Sequence, residues 1–293
     1  MVSATIYNKN NTIASEPVTT ELTIEDPLKD APDFYVLSIG ISEYRDEGFQ
    51  LKYARQDAAC VAQTFHERGK GLFRNIHLTT LLDKKAVLAN IYKTFERLST
   101  EIKVSDIFVL FLAGHGRVFD GNYYFIPQDA LYLNPDLFKK AILSDKDLVN
   151  LFQKIKALKS LILIDNSYSA GIFASNQLAQ TLNCNTLEEK NALYRLMRSS
   201  GRTVLAAATL GLYGVEGYKG HSVFTYALLK GLKGFADFNN NGLLSINELC
   251  DYVRFEVSKI TEKKCIYIQT SVRLTQGNSF AIGCTEENAG CGK

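Results

Sequence analysis

The chain has 293 residues, 46% hydrophobic and 22% charged, and its 33 Lys and Arg against 31 Asp and Glu leave a formal net charge of +2. That composition supports a full hydrophobic core, and a balance this near neutral, without a run of about five like charges, gives no electrostatic footprint for nucleic acid or an anionic membrane. No apolar stretch approaches the roughly 20 residues that span a bilayer, and the polar start MVSATIYNKNNTIASEP lacks the regions of a secretory signal, so a cytoplasmic protein is expected.

Residues 1–32 read as an N-terminal extension, a short β segment or the remnant of a preceding domain. ATIYNKN and VTTELTIED look like two short strands around a polar turn, closed by Pro27 and Pro32. From Phe34 onward, apolar runs alternate with helix-period segments. FYVLSIG (34–40), NIHLTTLL (75–82), DIFVLFLAG (106–114), SLILID (160–165) and RTVLAAAT (202–209) read as strands, with helices near 54–68, 86–99, 145–157, 188–199 and 221–233. Continuous apolar strands separated by helices predict a parallel sheet covered on both faces. In such sheets ligands bind beyond the carboxyl ends of the strands. Six scattered cysteines, Cys60, Cys184, Cys250, Cys265, Cys284 and Cys291, lack zinc-site spacing and are expected to be reduced thiols.

Two of the strand ends carry chemistry. His115 follows the third run between Gly114 and Gly116, where glycines let the backbone approach a ligand and an imidazole can transfer protons. An isolated histidine is more often structural, but the next strand end, Asp165-Asn166-Ser167, faces the same edge of the sheet. Ser167 follows His115 by 52 positions (167 − 115), close to the about 50 that separate histidine from nucleophile in caspases.

The blocks VLFLAGHG, YYFIPQDA, LILIDNSYSAG, GRTVLAAAT and HSVFTYALLKGL resemble, in family order, the caspase-fold cysteine peptidases (peptidase C14) in their bacterial metacaspase-like, or orthocaspase, branch. The resemblance spans roughly residues 34–283. It implies an α/β, caspase-like three-layer sandwich of about six mainly parallel strands flanked by helices. That domain would cover 33–283, with a large-subunit-like part (33–171), a linker (172–201) and a small-subunit-like part (202–283), followed by a tail at 284–293. It also implies His115 as base, position 167 as nucleophile, and the backbone N–H groups of Gly116 and Ser167 as an oxyanion hole.

The family pattern at the second strand end is Asp-x-Cys-x-Ser-Gly, whereas this chain reads Asp165-Asn166-Ser167-Tyr168-Ser169-Ala170-Gly171. Serine stands in the cysteine's place, and one extra residue precedes the glycine. A cysteine beside a histidine ionises near neutral pH, because its free value of about 8.5 is readily lowered. A serine hydroxyl needs a base acting in concert. The chain is therefore expected to bind substrates and cleave them very poorly. Cys60, Cys184 and Cys250 fall in settings that do not favour a replacement nucleophile.

By the same resemblance, Asp165 lines the pocket for the residue before the cleaved bond, and Asp57 in LKYARQDAA corresponds to the aspartate of the metacaspase Asn-Asp-Ala motif. Leu51 stands where caspases carry an aspartate-binding arginine. Two carboxylates without that arginine favour a protein or peptide substrate with Arg or Lys before the scissile bond. Read without the family, Asp57 would be a helix-surface residue and Asp165 a turn residue.

DFNNNGLLSINE places Asp237, Asn239, Asn241, Leu243, Ser245 and Glu248 at the ligand positions of an EF-hand loop, with Gly242 at the sharp turn. Only two of these are charged, which lowers calcium affinity, so the loop is either a calcium site or only a turn between helices, and no cofactor is required. In the linker, Lys190, Arg195 and Arg198 are either self-cleavage points or the polar face of a helix. The expected function is a metacaspase-type endopeptidase in Cys-to-Ser form, monomeric, with a sensor or regulatory domain as a candidate upstream partner. Two alternatives stay open: a pseudo-protease that holds a basic peptide segment or partner without cleaving it, and a serine hydrolase, which needs a third group to orient His115.

Overall fold

Each of the five long apolar runs becomes a parallel strand of one sheet. A computed structural model describes residues 2–4, 15, 18–20, 31–119, 121–166, 191, 195, 198, 202–208, 217–264, 270–274 and 279–285. In chain order the elements are β1 (Val2–Ala4), β2 (Val18–Thr20), β3 (Phe34–Gly40), α1 (Ala54–Gly69), β4 (Ile76–Leu82), α2 (Leu88–Glu101) and β5 (Ile107–Gly114). There follow β6 (Gly116–Phe119), β7 (Asn122–Phe125), α3 (Pro135–Ala141), β8 (Leu143–Ser144), α4 (Asp145–Lys154), β9 (Lys159–Asn166) and β10 (Thr203–Ala208). The last are α5 (Val223–Lys230), β11 (Leu243–Ser245), α6 (Ile246–Lys264), β12 (Thr270–Leu274) and β13 (Ala281–Cys284).

The main sheet has six strands in the order β12-β10-β9-β5-β3-β4. Five are parallel, and only β12 runs antiparallel, to β10. Central β3 and β5 are buried along their whole length, while edge strand β4 is largely open on one face, which is why the central strands read as unbroken apolar runs. The two-residue alternation of a strand sorts these side chains into two cores. Leu37, Ile39, Phe108 and Leu110 pack with Ile91 and Phe95 of α2 and Phe152 of α4. On the other face Phe34, Val36, Val109 and Phe111 pack with Val61 and Phe65 of α1, Phe224 of α5 and Val253 of α6. Helices therefore cover both faces of the sheet in three layers, as expected.

The close seat of α1 on β3 depends on Gly40. A Cβ there would come within 2.4 Å of both the Ala54 carbonyl and the Ala58 Cβ, so only glycine lets the first turn of α1 sit over the strand end.

Several expectations need correction. The helix expected from 86 starts at Leu88, because residues 83–85 form a 3-10 turn after β4. The helix read as 145–157 ends at Lys154. That read as 221–233 is α5 followed by a π-helical segment, Gly231–Phe235, in which Gly234 has a left-handed φ of 106°. Of the helix expected at 188–199, residues 191, 195 and 198 are helical and exposed, and the others lie outside the described residues. In the N-terminal extension, β1 and β2 do pair, but over three residues each. Cys60 and Cys250 are free thiols, as expected, but Cys284 is disulfide-bonded; composition reports the redox setting of a chain and not the position of one side chain.

Candidate active site

His115 leaves β5 at the carboxyl edge of the sheet and is buried, 3% exposed. The loop after β3 holds it from two sides. Its backbone N–H donates to the Tyr44 hydroxyl at 2.8 Å, and its Nε2 lies 2.8 Å from the Phe49 carbonyl oxygen. A carbonyl can only accept, so Nε2 carries the proton and Nδ1 is the basic nitrogen. The Tyr44 and Phe49 rings flank the imidazole, with centroids at 5.2 and 5.8 Å. Burial pushes the Tyr44 phenol far above the usual tyrosine range, so it remains a neutral hydroxyl. At Gly114 a Cβ would lie 2.7 Å from that hydroxyl, and the glycine is what allows the approach.

The loop is itself anchored. Asp83, in a left-handed conformation (φ 45°) just past β4, accepts from the backbone N–H groups of Ser42 and Glu43 at 2.7 and 3.0 Å and pairs with Arg55 at 3.0 Å.

β5 and β9 run in register, with Ala113 opposite Asp165 and Gly114 opposite Asn166. Both loaded strand ends thus reach the same edge. Asn166 is buried and its Nδ2 donates to the Tyr123 hydroxyl at 2.6 Å. Gly116 passes so close that a Cβ would meet this Nδ2 at 2.4 Å and the Tyr123 ring at 2.9 Å. Ser167 lies outside the described residues, as does Lys190 of the linker.

Asp57 and Asp165 come together at the start of α5. Asp57, 1% exposed, accepts from His221 Nδ1 at 2.5 Å and from the Ser222 backbone N–H at 3.0 Å. Asp165, 6% exposed, accepts from the Ser222 hydroxyl and, at 2.5 Å, from the Thr225 hydroxyl. The Ser222 oxygen also caps the helix by accepting from the Thr225 N–H at 2.9 Å. Both carboxylates thus meet the positive end of α5, where negative charge is stabilised. Burial raises the Asp57 carboxyl above its ordinary value, opposed in part by the bonds from His221 and Ser222. Leu51 is half-buried against both cores.

The acidic loop closes on itself. Asp237 accepts from the N–H groups of Asn241 and Gly242, and Asn239 bonds Glu248 at 2.8 Å. Asn241 accepts from the Leu243 N–H, and Glu248 accepts from both the backbone and the hydroxyl of Ser245. Arg195 donates to the Gly121 carbonyl. Among the described residues, the two free thiols are disfavoured for ionisation: burial and then Asp57 push the Cys60 thiol up, and burial pushes Cys250 up to about 12.

Tyr44, Phe49, His221, Ser222 and Thr225 escaped the reading of the sequence. Phe49 acts through its carbonyl, which any residue has. The Ser-x-x-Thr of HSVFT was a visible helix-start signal, but nothing in it told which carboxylates the serine would meet.

An α/β sheet that delivers an imidazole and an Asp-Asn strand end to one edge is the architecture that the caspase-fold resemblance implies. The chain belongs to the caspase-domain family, whose profile matches residues 34–278. The fold is shared by the crystal structure of protein GSU0716 from Geobacter sulfurreducens, which superposes with a TM-score of 0.55 at 17% identity over 84% of this chain and 94% of that one. At that identity the likeness concerns the fold alone. No curated protein sequence matches the chain significantly.

Proposed function

We propose that this chain is the peptide-binding and catalytic domain of a metacaspase-type endopeptidase directed to Arg or Lys, in a form that cleaves very poorly because Ser167 occupies the nucleophile's place. The observation that carries this reading is the convergence of two buried carboxylates, Asp57 and Asp165, on Ser222. They stand at the sheet edge that also carries His115. Two carboxylates buried close together favour a nearby cation, and an arginine or lysine side chain supplies one in bidentate or point-charge form.

In this mechanism His115, with its proton held on Nε2 by the Phe49 carbonyl, takes a proton at Nδ1 from the attacking group at position 167. The Gly116 and Ser167 N–H groups receive the developing oxyanion. With a thiol at 167, proton transfer precedes attack and leaves a thiolate beside an imidazolium. With the hydroxyl of Ser167, attack and proton transfer must coincide, which a site shaped for a thiolate does not favour. Calcium is a candidate ligand of the 237–248 loop only; a rise in melting temperature on adding calcium, lost in Asp237→Asn, would place it there.

The test is to make Ser167→Cys and assay peptides ending in Arg, Lys or Asp before the reporter group. Cleavage after Arg and Lys, but not Asp, supports the reading. An inactive variant that still binds basic peptides would favour the pseudo-protease, and activity of the unaltered chain, lost in His115→Ala, would point to a serine hydrolase.

A further inference from the structure

In the basic pocket proposed above, Asp57 already pairs with an imidazole of the protein's own. His221 Nδ1 lies 2.5 Å from Asp57 Oδ1, while Oδ2 takes the Ser222 N–H at 3.0 Å. Both oxygens of this nearly inaccessible carboxylate are engaged. His221 is the more open member of the pair, its side chain 17% exposed against 1% for Asp57.

A tight turn sets the imidazole there. Tyr218 and His221 bridge antiparallel across Lys219 and Gly220, whose φ values of 52° and 87° are those of a type I′ turn. The next residue is the N-cap of α5, so His221 is fixed between a hairpin and a helix start.

The charged and titratable groups around it come from four elements. Asp57 belongs to α1, Asp165 on β9 stands behind Ser222, Tyr226 belongs to α5, and Tyr218 and Lys219 share its own turn. Lys219 is drawn to the Tyr226 hydroxyl at 3.2 Å, over the Tyr218 and Tyr226 rings. The imidazole is thus the basic side chain that Asp57 bonds directly.

A neutral imidazole with its hydrogen on Nδ1 donates to Asp57 just as an imidazolium does. Protonation of Nε2 therefore changes the charge at the pocket without breaking the bond. With imidazolium, the Asp57 charge is compensated from within; with neutral imidazole, it is left to attract a ligand cation.

We propose that His221 is a specificity-determining residue of this pocket: as a built-in cation it competes with the Arg or Lys side chain for the charge of Asp57, so basic ligands bind the form in which His221 is neutral. The proposal rests on the reading of Asp57 and Asp165 as the basic pocket.

Calorimetric titration of the unaltered chain with a short peptide ending in arginine amide, and with its norleucine counterpart, tests both. The arginine peptide should bind about tenfold more weakly at pH 5.5 than at pH 7.5. Titrations in buffers of different ionisation enthalpy should show release of up to about one proton on binding. His221→Asn keeps a donor near the Nδ1 position without the charge, and should lose most of the difference between the two pH values, the remainder coming from the Asp57 carboxyl that burial raises. Arginine preference without proton release or pH dependence, or a His221→Asn variant that keeps most of the dependence, overturns the role of His221 and leaves the pocket intact. Equal affinity for the arginine and norleucine peptides overturns the pocket itself, and this proposal with it.

Discussion

Tyr44 bears on His115 through one hydrogen bond, from the His115 backbone N–H at 2.8 Å, in a site that excludes water. Removing its hydroxyl leaves that N–H without an acceptor, a loss of about 1–3 kcal/mol. Tyr44→Phe should therefore lower stability by that amount in chemical denaturation, and reduce turnover of the Ser167→Cys form more than it changes KM. Asp57 gives a pH signature. Its folded-state carboxyl is raised by burial, despite the opposing bonds from His221 and Ser222. The folded chain then holds that proton more tightly than the unfolded one, so this group's contribution to stability is full below about pH 4, the free aspartate value. It is lost as pH rises through the raised value. Asp57→Asn does not titrate, so any advantage in melting temperature of the parent over this variant should shrink as pH rises above about 4. His115, Asp57 and Asp165 could be singled out as candidates in the sequence because their side chains are the signal. The Phe49 carbonyl could not, since a main-chain oxygen leaves no trace in residue identity.

The apolar runs were legible as elements because the two covered faces of a parallel strand admit nothing else, as in IFVLFLAG of β5. The small sheet β6-β7-β8 was not, because GRVF and NYYF are four residues long and mix polar with aromatic side chains. The break after α5 lies in Gly231 and Gly234, which loosen the helix and let the backbone reach a left-handed φ at Gly234. Arg202, just before β10, ties neighbouring elements by carbonyls. Its guanidinium donates to the carbonyls of Phe152, Ile155 and Ala157 at 2.7, 2.6 and 2.7 Å, and to the Ser160 hydroxyl. A lysine ammonium has three donors without the planar fork and cannot reach all four. Arg202→Lys should cost about 1–3 kcal/mol in urea unfolding, because carbonyls at the end of α4 and the start of β9 lose their partner.

Across the whole molecule, the sheet separates two cores whose buried side chains belong to one or the other, with half-buried Leu51 packed against both. Phe108 and Phe111, both fully buried, sit on opposite faces of β5. Truncating either to alanine should destabilise the protein by about 3–5 kcal/mol, and the double variant should show the sum to within about 0.5 kcal/mol, because the two belong to separate cores. A clear shortfall in the sum would mean that the layers are not independent. The three-layer frame brings two strand ends to one edge, and the function turns on what stands at the second of them. The most direct measurement is kcat/KM on one arginine-containing peptide for the unaltered chain, for Ser167→Cys, and for Ser167→Cys with His115→Ala. The account predicts a gain on the order of a thousandfold from serine to cysteine, abolished by loss of the imidazole. A cysteine variant no faster than the serine chain would contradict it.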